Sequence, residues 1–472
     1  MWMVGREAEQ QILDDCLHSP RPEFLVVYGR RRVGKTYLIR QFFREGFSFY
    51  ATGVAGSKTR DQLKFFNNAL QEYGCPQKRI PEDWMEAFSR LKEVLNKTDV
   101  YRDASGRRVV FLDEVPWMDT RRSDFKSALD YFWNSWGSAQ EDLLLIICGS
   151  ATSWIIDHLL TDRGGFYNRV TKQIHLLPFT LRECEEFFKA GSVPMTRQQI
   201  MEAYMVFGGI PYYLTLLNPR RSIAQNIDDL CFRENGGLRY ESNLLFSSLF
   251  RNDRKHSAVI HAAALKRGGV TRSELAEIKE IGDNEKLTLT LAELEQCGFI
   301  RKYRSGASDK KGFLYQIIDP FTLFSLTFLE NAKLPSWSGY IGTPGYYAWR
   351  GNAFEILCLN HIPEIKDTLG IRGVETMEYP WRSKSSSPGV QIDLLMDRKD
   401  GIINLCEMKC SDQAYAIDAA YEKKLLEKIA VFRQESRSRK AIHLTMVTSN
   451  GLVHNAHAGN VISEVSGEEL FR

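Results

Sequence analysis

Apolar runs alternate with amphipathic stretches through the first third of the chain: FLVVY at 24–28, FSFYAT at 47–52, RVVFLD at 108–113, LLLIIC at 143–148 and KQIHLL at 172–177. Short runs with few polar interruptions predict strands buried on both faces. Two segments between the second and third runs, roughly 59–73 and 84–97, carry helical periodicity. Strands separated by helices are the βαβ signature of a parallel sheet wrapped in helices, which places this part of the chain in the α/β class.

The pattern then changes. From 196 to 250 it is helical, interrupted at Gly208-Gly209-Ile210-Pro211, which predicts a small all-α lid. Residues 255–318 predict three helices (255–266, 271–280, 284–297) followed by the strands FIRKYR and GFLYQII around the polar turn SGASDKK. Three short helices and a hairpin form the winged-helix pattern. Ser336 to Tyr347, rich in Gly, Pro, Ser and Tyr, predicts a linker. From 349 to 472 the order helix, strand, strand, helix, strand predicts a separate α/β domain. The expected organisation is therefore 1–195 for the first α/β domain, 196–250 for the lid, 251–333 for the winged helix and 345–472 for the last domain.

Composition narrows the class. A chain of 472 residues exceeds one hydrophobic core, and 43% hydrophobic with 26% charged residues is globular composition. A net charge of +3 means that any contact with DNA must come from local patches. The nine cysteines show no metal-ligand spacing and read as reduced thiols; Cys148 and Cys406 lie within apolar runs and read as small buried hydrophobes. The first residues lack a signal-peptide core, and no apolar run reaches membrane-spanning length, so a cytoplasmic protein with no membrane association is expected.

The sharpest chemical signal is G-R-R-R-V-G-K-T at 29–36, between the first predicted strand and a helix beginning near Lys35. This is a phosphate-binding loop, and it implies ATP with Mg²⁺. Gly29 and Gly34 let the backbone N–H groups curl around phosphate, and Val33 and Tyr37 flank the loop residues that carry the contact. Lys35 reaches the β- and γ-phosphates, and Thr36 offers a hydroxyl to Mg²⁺. Arg30, Arg31 and Arg32 fill the variable positions and read as a solvated basic loop more readily than as catalytic groups. The run V-V-F-L-D-E ends in Asp113, expected to hold Mg²⁺ through water, and Glu114, expected to polarise the attacking water. Ser150, after the fourth run, is placed either beside the γ-phosphate or as a helix cap. Arg163 and Arg169, in R-G-G-F-Y-N-R, are candidates for an arginine supplied across a subunit interface, with Arg169 preferred.

Taken with Val4-Gly5-Arg6-Glu7, LPFTLRE, GGIPYYL and YQIIDPF, these motifs make nearly the whole chain resemble the prokaryotic AAA-type ATPases, close to the archaeal-type ATPases, that carry a restriction-endonuclease-like C-terminal domain. The resemblance implies a sheet order of 5-1-4-3-2, a base pocket lined by Val4, Gly5 and Arg6, and either a homo-oligomer or a ligand-switched monomer.

In the last domain Glu355 falls on a helix, Asp393 opens a strand (QIDLLMD), and Glu407-Met408-Lys409 lies on the next (INLCEMK). Strand alternation places Glu407 and Lys409 on one face. Two or three carboxylates at strand ends can hold Mg²⁺ against a phosphodiester, with the lysine orienting water. The pattern resembles the PD-(D/E)XK nucleases, with Asp393, Glu407 and Lys409 as core motif, Asp393 and Glu407 as metal ligands and Glu355 as accessory acid. An exposed charged hairpin, or a nuclease fold that no longer cuts, fits the same residues. Lys423, Lys424 and Lys428 read as phosphate contacts or as a solvated helix face. In the winged helix the recognition helix carries more acid than base, whereas the hairpin has Arg301, Lys302, Arg304, Lys310 and Lys311. It either grips a phosphate backbone or packs against the ATPase. Two functions follow: an ATPase whose nucleotide state controls a DNA-directed nuclease-like module, or an ATP-dependent switch that uses an inactive nuclease fold to recognise partners.

Overall fold

The computed structural model describes residues 3–161, 168–250, 253–266, 268–283, 285–304, 312–330, 332–383 and 389–472. The chain divides into two compact units, Met1–Pro178 and Phe179–Arg472.

The first unit is built on five parallel strands: β1 (Glu23–Tyr28), β2 (Phe49–Thr52), β3 (Arg108–Asp113), β4 (Leu143–Gly149) and β5 (Lys172–His175). Their order is β2-β3-β4-β1-β5, the expected 5-1-4-3-2 order read from the other edge. Every residue of β1, β3 and β4 is buried, as their near-continuous apolar sequences require for central strands covered on both faces. Helices Thr59–Glu72 and Trp84–Leu95 lie where the periodicity put them. Asp83 caps the second, its carboxylate accepting from the Glu86 amide at 2.8 Å. Phe66, Trp84, Phe88, Phe125 and Phe132 pack into one aromatic cluster beside the sheet, with Trp84 and Phe125 edge to face at 4.8 Å.

The second unit opens with helices Leu181–Ala190 and Arg197–Phe207, each started by a Thr capping box. Gly208 ends the second at φ 67°, and the predicted break leads to helix Pro211–Thr215. Helices Asp253–Ala264, Arg272–Ala276 and Glu285–Gln296 surround a three-stranded antiparallel sheet of β6 (Val270–Thr271), β7 (Ile300–Arg304) and β8 (Phe313–Ile317), ordered β6-β8-β7. The middle helix is shorter than the expected 271–280: Thr271 pairs with β8, and the helix gives way to a turn after Ala276.

Residues 336–347 are not a linker. They form helix Trp337–Tyr340 and the first turn of helix Pro344–Asn360. Trp337 is fully buried among Phe324, Phe328, Tyr346 and Trp349, so the aromatic side chains in this Gly/Pro/Ser-rich stretch outweigh its turn-forming composition.

The last sheet has order β13-β12-β11-β10-β9, from β9 (Thr376–Arg382), β10 (Gln391–Arg398), β11 (Ile402–Lys409), β12 (Ala441–Thr448) and β13 (Ser463–Ser466). Strands β9, β10 and β11 are antiparallel, and β11, β12 and β13 are parallel, with helix Ala419–Ser436 between β11 and β12. β9 and β13 were not expected from the pattern. Tyr303 and Leu314 of the smaller sheet share an apolar cluster with Tyr379, Ile392 and Leu395 of the larger one. All nine cysteines are free thiols, and all but Cys410 are buried. No helix among the described residues is long and apolar enough to cross a membrane.

Candidate functional site

β1 ends in the loop 29–34, and helix Lys35–Phe42 follows. Gly29 has φ 143°, and a Cβ there would stand 2.3 Å from the Leu176 carbonyl oxygen, so only glycine lets the loop pass this close to the chain leaving β5. Gly34 caps the helix at φ 95°. Lys35 is 4% exposed, and its ammonium donates to the carbonyls of Gly29 and Arg30, both at 2.9 Å, and to Ser150 Oγ at 3.0 Å. The Thr36 hydroxyl donates to Asp113 Oδ2 at 2.8 Å, joining the loop to the end of β3. The expectation of a solvated arginine run is corrected in part. Arg31 is exposed, Arg32 is half-buried and Arg30 is buried. Val33 is buried and Tyr37 is exposed.

Burial pushes the Asp113 carboxyl above the usual carboxylate range, and the neighbouring charge of Glu114 adds to this against the pull of the Thr36 hydrogen bond. Glu114 sits at φ 47°, a left-handed conformation that turns the chain sharply from β3 into helix Val115–Met118. Its two oxygens accept from Ser150, Oε1 from the hydroxyl at 2.6 Å and Oε2 from the amide at 3.2 Å. Ser150 therefore joins Lys35 to Glu114, in place of the simple helix cap that was the alternative. Cys148 is fully buried in β4, as its apolar run predicted.

The opening turn lies in the same unit. Gly5 and Arg6 have φ 64° and 65°, and Arg6 Nη2 donates to the Leu177 carbonyl at 2.7 Å. The turn thus rests on the 176–177 segment that also backs Gly29, with Val4 half-buried beside it. Arg169 is exposed, and Arg163 lies outside the described residues.

In the second unit β10 and β11 bring Asp393 and Glu407 together. Asp393 Oδ2 accepts from the Met408 amide at 2.8 Å. Glu407 is fully buried; Lys428 Nζ donates to its Oε1 at 2.6 Å, Tyr421 Oη donates to its Oε2 at 3.1 Å, and Lys409 Nζ stands 3.6 Å from Oε2. Burial, and then the charge of Asp393, raise the Glu407 carboxyl above its ordinary range, against the pull of Lys428 and Lys409. Lys428 is half-buried and paired with Glu407, whereas Lys423 and Lys424 are exposed. Glu355 accepts from Gln316 Nε2 at 2.9 Å. Among the described residues no three His, Cys, Asp or Glu side chains cluster as a metal site. Arg301 donates to the Leu359 carbonyl at 2.5 Å, Lys302 lies 4.0 Å over the Phe313 ring, and Arg304 is exposed. Lys310 and Lys311 lie outside the described residues.

A parallel sheet ordered β2-β3-β4-β1-β5, a glycine-cornered loop after β1 and a carboxylate pair leaving β3 define a P-loop NTPase. Residues 3–217 match the family described as an ATPase domain predominantly from Archaea. An uncharacterized protein of Methanocaldococcus jannaschii is 26% identical over 333 residues, which is 69% of this chain and 68% of that one. Among solved structures, the Walker-type ATPase of Pyrococcus abyssi is 20% identical with a TM-score of 0.49, over 69% of this chain and 96% of that one. The ORC2 protein of Aeropyrum pernix is 13% identical with a TM-score of 0.42, over 68% and 92%.

Proposed function

We propose that the first unit binds ATP with Mg²⁺ and hydrolyses it, and that its nucleotide state governs a DNA-directed second unit. The observation that carries the first part is the joined set of Lys35, Thr36, Asp113, Glu114 and Ser150 around one glycine-cornered loop. Mg²⁺ takes hard oxygen ligands, and the Thr36 hydroxyl and Asp113 carboxylate are such a pair, with Asp113 and Glu114 forming a like-charged couple that a cation would relieve. Bound there, Mg²⁺ would neutralise charge on the β- and γ-phosphates. Loop amides and Lys35 orient the phosphates, Gly5 and Arg6 border the base, and Glu114 accepts a proton from water as its oxygen bonds to the γ-phosphorus and the bond to the β-phosphate oxygen breaks, leaving ADP and phosphate. Arg169 supplies charge from a second copy. Lys35→Ala should abolish tight ATP binding, while Glu114→Gln keeps binding and loses turnover, read by fluorescent-nucleotide titration and phosphate release. Unchanged hydrolysis in both variants would falsify the assignment.

For the second unit, Asp393, Glu407 and Lys409 support a Mg²⁺-dependent nuclease-type site with Glu355 as accessory acid, beside a winged-helix arrangement around β6, β7 and β8. The complete burial of Glu407 beneath Tyr421 and Lys428 favours a second reading, in which this fold binds nucleic acid or a protein partner without cutting. Arg301, spent on the Leu359 carbonyl, supports packing of the hairpin over phosphate contact. The two readings separate on supercoiled, linear and branched DNA with Mg²⁺, with and without ATP. Cleavage lost in Asp393→Ala sinks the second reading; no cleavage and no Mg²⁺ or Mn²⁺ binding sinks the first.

A further inference from the structure

Helix Ala419–Ser436 carries Tyr421, Leu425 and Lys428 at i, i+4 and i+7, which puts them on one face. Leu425 is buried in the apolar cluster with Leu405 of β11 and Leu444 of β12, so this face is turned to the sheet. Its two polar groups meet Glu407: Lys428 Nζ lies 2.6 Å from Oε1, and Tyr421 Oη lies 3.1 Å from Oε2. Burial, then the charge of Glu407, keeps the Tyr421 phenol protonated, so it remains a donor.

Two carboxylates, Asp393 and Glu407, share the site with two ammoniums, Lys409 and Lys428, so the charges already balance. The two lysines differ in position. Lys409 stands off at 3.6 Å over the Tyr421 ring, whereas Lys428 hydrogen-bonds a carboxylate that is 0% exposed. A divalent ion on Oε1, at a metal–oxygen distance of about 2.1 Å, would lie within about 5 Å of the Lys428 nitrogen. Such an ion also keeps several of its waters, and the covered Glu407 carboxylate has no surface left for them.

We propose that Lys428 is a built-in counter-cation that takes the place of a divalent ion on Glu407, so that the second unit keeps its paired carboxylates without metal. The helix thus supplies by one side chain the positive charge that the sheet would otherwise draw from solution. This rests on the reading in which the fold binds a partner without cutting, and it names the residue that closes the metal position.

The test is Mn²⁺ binding by the nucleotide-free full chain, with free Mn²⁺ read by electron paramagnetic resonance. Lys428→Gln keeps a donor but removes the charge. It should bind Mn²⁺ at least about tenfold more tightly than the unaltered chain, the effect of one unit charge on a divalent ion at about 5 Å even at the dielectric constant of water. Adding Asp393→Ala to that variant should abolish the gain, and Lys428→Arg, which keeps the charge, should show none. Lys428→Glu leaves a larger excess of buried negative charge, so its folding, read by circular dichroism, should depend on Mn²⁺. A gain in Lys428→Arg overturns the counter-cation. So does the failure of both Lys428→Gln and Lys428→Glu to gain either Mn²⁺ affinity or Mn²⁺-dependent folding, which leaves the partner-binding reading intact. Mn²⁺ bound by the unaltered chain through Asp393, as tightly as by Lys428→Gln, overturns both.

Discussion

Gly29 and Gly34 bracket the phosphate loop, and different forces fix them. Alanine at 29 meets the Leu176 backbone oxygen at 2.3 Å as well as an unfavourable φ, and backbone cannot swing aside. Alanine at 34 meets nothing within 4 Å and carries only the conformational cost of φ +95°. Gly34→Ala should therefore destabilise the first unit by about 1–2 kcal/mol, and Gly29→Ala by clearly more, about 3 kcal/mol or above. Denaturant unfolding of the full chain checks the order, and equal losses would mean that the Leu176 contact yields. At this scale the sequence made Lys35, Thr36, Asp113 and Glu114 legible, because motif and strand position fix them together. The double use of Ser150 was not legible, since it depends on how β4 lies between β1 and β3. Lys428 was misread for the same reason: nothing local to its helix shows that a buried carboxylate faces it.

Among elements, the strands of the first sheet were readable because burial on both faces removes polar residues from the sequence itself. β9 was not, since TMEYPWR carries Glu378 and Pro380, which an edge strand tolerates and a central one does not. The segment 336–347 was misread because its Gly, Pro and Ser content speaks for turns while Trp337 sits in a core. Trp337→Ala should cost the second unit about 3–5 kcal/mol, whereas a change in a true linker would stay within about 0.5 kcal/mol; thermal unfolding decides between them. A second element-level device is His361. Its Nε2 accepts from the Leu181 amide at 2.9 Å, at the start of helix Leu181–Ala190, and its Nδ1 faces the Leu357 carbonyl at 2.8 Å, which fixes the neutral ring. Burial pushes this imidazole down to about 4. Above the ordinary value of 6.5 folded and unfolded chains are both neutral there and the contribution is complete; between 6.5 and 4 only the unfolded chain takes up the proton. Stability should fall across that window by about 3 kcal/mol from this group. His361→Gln, whose amide oxygen can still accept from Leu181, should show a shallower loss in urea unfolding from pH 7 to 4.5. An identical pH slope in both proteins would remove His361 as the cause.

For the molecule as a whole, a near-zero net charge leaves association to particular groups, and the exposed Arg169 is the group proposed above to act in trans. Arg169→Ala should lower hydrolysis about 10³-fold, the low end of an arginine finger's effect, with nucleotide affinity nearly unchanged. Hydrolysis per chain should also rise with protein concentration. A monomer that hydrolyses at an undiminished rate in this variant rules the finger out. Two compact units also need separate reporters if their motions are to be followed, and the distribution of thiols provides them. Cys16, Cys75 and Cys148 are buried in the first unit, and Cys184, Cys231, Cys297, Cys358 and Cys406 in the second. Alkylation at any of these requires a local or global opening, so the modification rate at each sulfur, read by mass spectrometry, measures the opening of its own surroundings. Cys148, two residues before Ser150 at the end of β4, then becomes a native probe of the nucleotide site: protection of that sulfur on adding nucleotide would follow the site closing, without any introduced label.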